Sequence, residues 1–258
     1  MQNQMEPTVS SRLSRNNYRT TARAVGVVFL AGMVVYILGN AVLVQPILGV
    51  PDYLSAVAAS SLPLAIGAML MLMAAVGDTL HGILMLPVLR RHNERVAFGY
   101  FGARLIDAVF LAAGIMFLLL QIPLGRAYLA AGAPESSSLQ ALSTLSIEAH
   151  QYSYEIGMIA VGFAGLMLCY LFYTARLVPR LLAVWGLIGY PILLTGSVLT
   201  ILGFHPGLIH TIPGGLWELF IGVWLIAKGF STQPVHSKAT TSSTTPDTAA
   251  PLVGSATT

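Results

Sequence analysis

Apolar residues run in long stretches along the chain from Ala24 to Lys228, broken by short polar segments. A bilayer core about 30 Å thick is crossed by roughly 20 helical residues rising about 1.5 Å each. On that measure the pattern predicts six spans, over about 24–44, 62–86, 96–121, 149–174, 181–203 and 212–228. Two connections, 87–95 and 175–180, are tight, and two others are broader. In one of the broad ones Pro51-Asp52-Tyr53-Leu54 predicts a short interfacial helix with Asp52 as its cap. In the other, Leu139, Leu142 and Leu145 at spacing three predict a second. The expected fold is all-α: a six-helix transmembrane bundle with two short interfacial helices on its outer side. Residues 1–23 form a polar, basic segment. Residues 231–258, rich in Thr, Ser, Ala and Pro, bury too little apolar surface to fold and are expected to be a disordered cytoplasmic tail.

Charge supports the same reading. Only 9% of the residues are charged and 55% are hydrophobic, against roughly 25% charged in a soluble domain. Thirteen Lys and Arg are present. Assigning alternate connections to one side puts Arg12, Arg15, Arg19, Arg23, Arg90, Arg91, Arg95, Arg176, Arg180, Lys228 and Lys238 there. Arg126 alone falls opposite, and Arg104 lies within a span. That asymmetry predicts cytoplasmic N- and C-termini in a multi-pass protein of the cell membrane. It also explains the basic balance without nucleic acid, since the positive charges flank apolar runs. The first residues lack the apolar core of a cleavable signal peptide, so the first span is expected to be an uncleaved anchor. The single cysteine, Cys169, excludes an intrachain disulfide and a cysteine-based metal cluster.

Ionisable residues at membrane depth are costly and need a partner or a task. Asp78 and His81 share a face of the second span, Arg104 and Asp107 a face of the third, and Glu218 lies in the sixth. Counted from the cytoplasmic span ends, Asp78, Arg104 and Glu218 lie roughly 13, 12 and 15 Å deep. They therefore share one level. Asp78 and Arg104 are expected to pair across the 87–95 hairpin, with Asp107 and Glu218 near the same guanidinium. Three carboxylates, one guanidinium and one imidazole cannot all be charged there, so at least one carboxylate is expected to hold a proton. Such a cluster serves either a proton or solute, or only helix register.

A second candidate group faces the outer side. Glu148, Tyr152 and Glu155 fall at i, i+4 and i+7, with His150 nearby but pointing elsewhere, and His205 and His210 occupy the last outer turn. The spacing matches no zinc motif, and neither a metal nor a cofactor is expected. There is no G-x-S-x-G, P-loop or G-x-G-x-x-G, and no residue is assigned a catalytic role. Gly157, Gly162 and Gly165 read as helix-packing positions, as do Met69, Met71 and Met73. Trp185, Trp217 and Trp224 read as packing or interface anchors.

Several stretches, in order, resemble a family of bacterial membrane proteins grouped as domain of unknown function 4386. They are Thr21-Ala22-Arg23, Glu148-Ala149-His150-Gln151-Tyr152-Ser153-Tyr154-Glu155-Ile156-Gly157, Phe163-Ala164-Gly165-Leu166, Leu177-Val178-Pro179-Arg180-Leu181-Leu182-Ala183, Trp217-Glu218, and Trp224-Leu225-Ile226-Ala227-Lys228-Gly229. Ala183, Ala164 and Glu155 depart from that pattern. The resemblance runs from about Arg19 to Phe230 and implies six spans and no established activity. Asp78, Arg104, His150 and Glu218 match polar positions of the family.

Three functions follow as expectations. The first is a non-catalytic accessory or sensor bundle that works through an unidentified membrane partner. The second is a proton-linked carrier of a small solute, using Asp78, Arg104 and Glu218. The third is an intramembrane enzyme using His150. An accessory bundle requires a closed interior with paired charges; a carrier requires a cavity that reaches Asp78 and Glu218.

Overall fold

The structure, a computed structural model, describes residues 9–131, 133–204 and 206–231, and their side chains apart from 9–17, 133–135 and 208. His205, the 232–258 tail with Lys238, and the side chains of Arg12 and Arg15 lie outside the described residues.

Every regular element among the described residues is helical. Helix α1 (Val9–Ile37) runs into a π-helical stretch, Leu38–Val44, and a last turn, α2 (Gln45–Leu48). Then come α3 (Tyr53–Ala59), α4 (Ser61–Arg90), α5 (Glu94–Leu119), α6 (Gln121–Ala130), α7 (Ala133–Thr174), α8 (Arg180–Ile201), a 3-10 turn (Gly207–His210) and α9 (Ile212–Ala227). Five stretches are long and apolar enough to cross a membrane: Tyr18–Leu48, Ser61–Arg90, Glu94–Ala130, Ser136–Thr174 and Arg180–Ile201. The expected sixth span is a helix of 16 residues, about 24 Å long and shorter than a bilayer core of about 30 Å.

The broad connections differ from expectation. α3 forms, but Asp52 makes no side-chain capping bond; its ψ of 59° lies outside the extended backbone that aims a cap at the helix. The leucine-spaced segment is no separate interfacial helix. Beyond Pro134, which suits a first turn, nothing stops the helix, and Leu139, Leu142 and Leu145 belong to the 42-residue α7. Leu142 and Leu145 face outward, 54% and 66% exposed. Ser143 and Ser146 face inward: Ser143 Oγ donates to Gln121 Oε1 at 2.5 Å and Ser146 Oγ to the Phe117 carbonyl at 2.7 Å. In lipid the apolar stripe marks the outside, and polar side chains join helices. The short helix in that connection is instead α6.

α4 continues three residues past Pro87 to Arg90, and the Arg91–Asn93 turn ends in a true cap, Asn93 Oδ1 accepting from Val96 N at 3.2 Å. Small residues let helices touch. A Cβ on Gly39 would lie 2.6 Å from the Gly67 carbonyl oxygen, and one on Gly67 2.8 Å from that of Gly39, so α1's π stretch and α4 meet backbone to backbone. Large side chains, among them Tyr100, Phe172, Tyr190 and Trp217, fill the core nearer the Arg91–Asn93 end. Trp217 Nε1 donates to the Leu182 carbonyl at 2.6 Å, holding α9 to α8.

Candidate functional site

The helices do not close on one another along their whole length. A cavity of about 290 Å³ lies among α1, α4, α5, α7, α8 and α9. Asp78 from α4, Arg104 and Asp107 from α5, and Glu218 from α9 line it, with Tyr36 and Tyr154 at its rim. Arg104 organises the acidic groups. Its Nη2 donates to Asp78 Oδ1 across the hairpin, and its Nη1 to Asp107 Oδ2 at 3.4 Å. Each contact follows from helix geometry: i, i+3 puts Arg104 and Asp107 on one face, and the tight 91–93 turn makes α4 and α5 antiparallel neighbours. Asp107 is fully buried, and a Cβ on Gly157 would come 3.2 Å from its Oδ1, so the glycine makes room for it. Arg104 Nε and Asp107 Oδ1 have no hydrogen-bond partner among the described residues. Asp78 keeps a quarter of its side-chain surface accessible.

Glu218 shares the cavity but not the ion pair. Its Oε1 accepts from Tyr190 Oη at 3.2 Å, and it forms no salt bridge among the described residues. His81 lies outside the cavity. It is buried between Phe29, stacked at 4.6 Å between ring centroids, and Tyr100, whose Oη lies 2.7 Å from Nδ1. Sharing a helix face with Asp78 three residues away brings the imidazole next to the carboxylate in sequence, yet the aromatic neighbours claim it.

A second cavity, about 320 Å³, adjoins the first. The two share Tyr36, Tyr154 and Thr211 as a common wall, and the two tyrosine rings stack with centroids 6.2 Å apart. His150, Gln151, Tyr154 and Glu155 line the second cavity, at i, i+1, i+4 and i+5 on one arc of α7. Glu148 and Tyr152 fall beyond that arc and are exposed. The expected grouping of Glu148, Tyr152 and Glu155, with His150 pointing elsewhere, does not form: His150 and Glu155 line one cavity, and the other two face out. His150 Nδ1 donates to the Gly114 carbonyl at 2.9 Å, which fixes the orientation of the ring. Asn40 and Gln45 join from the far side and His210 from the 3-10 turn.

Tyr36, Asn40 and Thr211 belong to no pattern read from the sequence, and Tyr154 enters only through the stretch that resembles the family. A usable signal was present in Tyr36 and Asn40, polar-tipped residues at i and i+4 within the first apolar stretch. Among the described residues no three or more His, Cys, Asp or Glu gather in a way that could hold a metal ion.

The family described as "Domain of unknown function (DUF4386)" matches residues 24–229. No curated protein and no solved structure matches the chain.

Proposed function

The chain belongs to the DUF4386 family, which carries no assigned activity, and from its interior we propose that it is a proton-linked membrane carrier for a small, positively charged solute. The observation that supports this is the composition of the central cavity: three carboxylates and one guanidinium line it, with no lysine or histidine. Arg104 is engaged by Asp78 and Asp107, and Glu218 has only the Tyr190 hydroxyl. A site with more carboxylates than cations favours an added positive charge, which either a proton or an ammonium group supplies. Exchange of the two on Glu218 would couple solute movement to protons. An accessory bundle would call for a filled interior, so the cavity favours the carrier over that reading.

Such a carrier crosses the membrane six times, with α9 crossing as a short helix that presents Glu218 at mid-depth, both termini in the cytosol, and the arginine-rich turns on that side. Reporter tags on the two termini are expected to read out from the same face of the bilayer.

The function is tested with the full chain in proteoliposomes. Uptake of choline, whose fixed charge keeps it from crossing lipid unaided, driven by an outward proton gradient, is expected to alkalinise the lumen and to be lost in Glu218→Gln while the variant stays folded by circular dichroism. Uptake that ignores the proton gradient, or survives Glu218→Gln, would sink the proposal.

A further inference from the structure

The second cavity holds two polar atoms that the fold leaves without partners. Glu155 is 3% exposed, and while its Oε1 accepts from Gln151 Nε2 at 2.9 Å, its Oε2 has no hydrogen-bond partner among the described residues. His210 is 8% exposed, and its Nδ1 has none either. Both side chains line the same space. A buried carboxylate oxygen without a donor costs free energy that a native fold recovers through a ligand or ordered water. No lysine or arginine lines this cavity, so no guanidinium answers Glu155 as Arg104 answers Asp78.

The position of His210 is built in. Its ring lies against Gly196 on α8 so closely that a Cβ there would overlap it. Opposite, the π-helical stretch Leu38–Val44 presents Asn40, whose Oδ1 accepts from Gln45 Nε2 at 3.3 Å. π-helical turns inside longer helices frequently occur at functional sites. The floor is the stacked pair Tyr36 and Tyr154, whose ring faces attract cations.

We infer that this cavity is a second binding site for an ammonium-bearing solute, with Glu155 as its counter-ion, placed in series with the central cavity across the Tyr36–Tyr154 wall. The choice of solute rests on the carrier reading; the site itself stands on Glu155 and His210. Ethylammonium supplies three N–H donors and choline a hydroxyl donor, each with a positive charge, which the free Glu155 oxygen and the tyrosine faces both favour. An anion would meet the Glu155 carboxylate with no cation to offset it. The volume suits a small organic cation. The chain would then hold a solute first in one cavity and then in the other, with movement of Tyr36 or Tyr154 joining them.

The test is calorimetric titration of the purified full chain with ethylammonium and with choline. Wild type is expected to bind two equivalents. Glu155→Gln is expected to lose one, its affinity falling roughly tenfold or more as a charged hydrogen bond is removed, and Glu218→Gln to lose the other. Unchanged binding in Glu155→Gln, with loss in Glu218→Gln, overturns the second site and leaves the carrier reading standing. Loss only in Glu155→Gln supports the second site and overturns the central one. A cavity that holds water only, with neither probe bound, overturns both. Should Glu155→Gln fail to fold, Asn40→Cys in a chain that keeps Glu155 decides the matter, because the one native cysteine, Cys169, is buried. Its labelling by 2-aminoethyl methanethiosulfonate is expected to slow several-fold when ethylammonium is present at saturation. A labelling rate indifferent to ethylammonium overturns the inference.

Discussion

Arg104 on α5 donates through Nη2 to Asp78 on α4, 26 residues away in sequence and across a tight turn. The pair is unequal: Arg104 keeps 6% of its side-chain surface accessible and Asp78 25%. The guanidinium is thus the buried partner, and it serves two carboxylates at once.

Removing that guanidinium leaves Asp78 and the fully buried Asp107 facing each other without a cation. Arg104→Ala is expected to cost about 3–5 kcal/mol, the range for breaking a buried pair from one side. Asp78→Asn keeps a hydrogen-bond acceptor for Arg104 and leaves Asp107 in place, so its loss is expected to be smaller. Thermal unfolding in detergent, followed by circular dichroism, compares the two. Equal melting temperatures for Arg104→Ala and wild type would rule out the pair as a stabilising element.

The α1–α4 crossing is expected to be intolerant of any side chain. A Cβ on Gly39 would meet a backbone oxygen at 2.6 Å, and backbone cannot swing aside as a side chain can. Gly39→Val is expected to destabilise the bundle by about 1–3 kcal/mol, as overpacking does. Gly32, whose surroundings are open within 4 Å, is the control: Gly32→Ala is expected to leave the melting temperature nearly unchanged. A Gly39→Val protein as stable as wild type would show that the helices can separate at no cost.

Asn93 caps α5 in the exposed turn, away from both cavities. Asn93→Ala is expected to cost about 1 kcal/mol, and Asn93→Asp to retain most of the cap. Solute binding is expected to be unaffected by either. Melting curves with and without solute separate the two effects, and a change in affinity would contradict the assignment of Asn93 to folding alone.

His92, in the same turn, is the titrating group whose effect on stability can be given a sign. The side chain is exposed at the surface, yet desolvation by the atoms around it, then the neighbouring Arg91, lowers its pKa from the ordinary 6.5. The unfolded chain therefore takes up a proton at a higher pH than the folded one. The stabilisation is present above 6.5 and is lost as pH falls from there toward the folded-state value. Comparing melting temperature against pH for wild type and His92→Gln reads this out. The slope below neutrality is expected to be shallower in the variant, and identical profiles would contradict it.

Features that depend only on neighbours along the chain were legible in the order of the residues. A membrane crossing needs a contiguous apolar run, so five long apolar helices could be read directly, though not the early start of α7. A helix repeats every 3.6 residues, so Arg104 and Asp107 could be put on one face, and a tight turn after Pro87 made Asp78 and Arg104 neighbours. Four decisions belonged to the tertiary structure alone. One was that Glu218 meets Tyr190 rather than Arg104, and another that His81 turns to Phe29 and Tyr100. The third was that α7 shows its leucines to the outside and its serines to the core. The last was the gathering of Tyr36, Asn40, Tyr154, Glu155 and His210 around one space, drawn from α1, its π-helical extension, α7 and the 3-10 turn. The physical reason is the solvent. In water an apolar stripe marks the buried face of a helix, but in lipid the apolar face turns outward and most of the inner face is apolar as well. Rotation about each helix axis is then set by packing, by small residues at the crossings and by a few polar contacts between distant segments, none of which has a period along the chain.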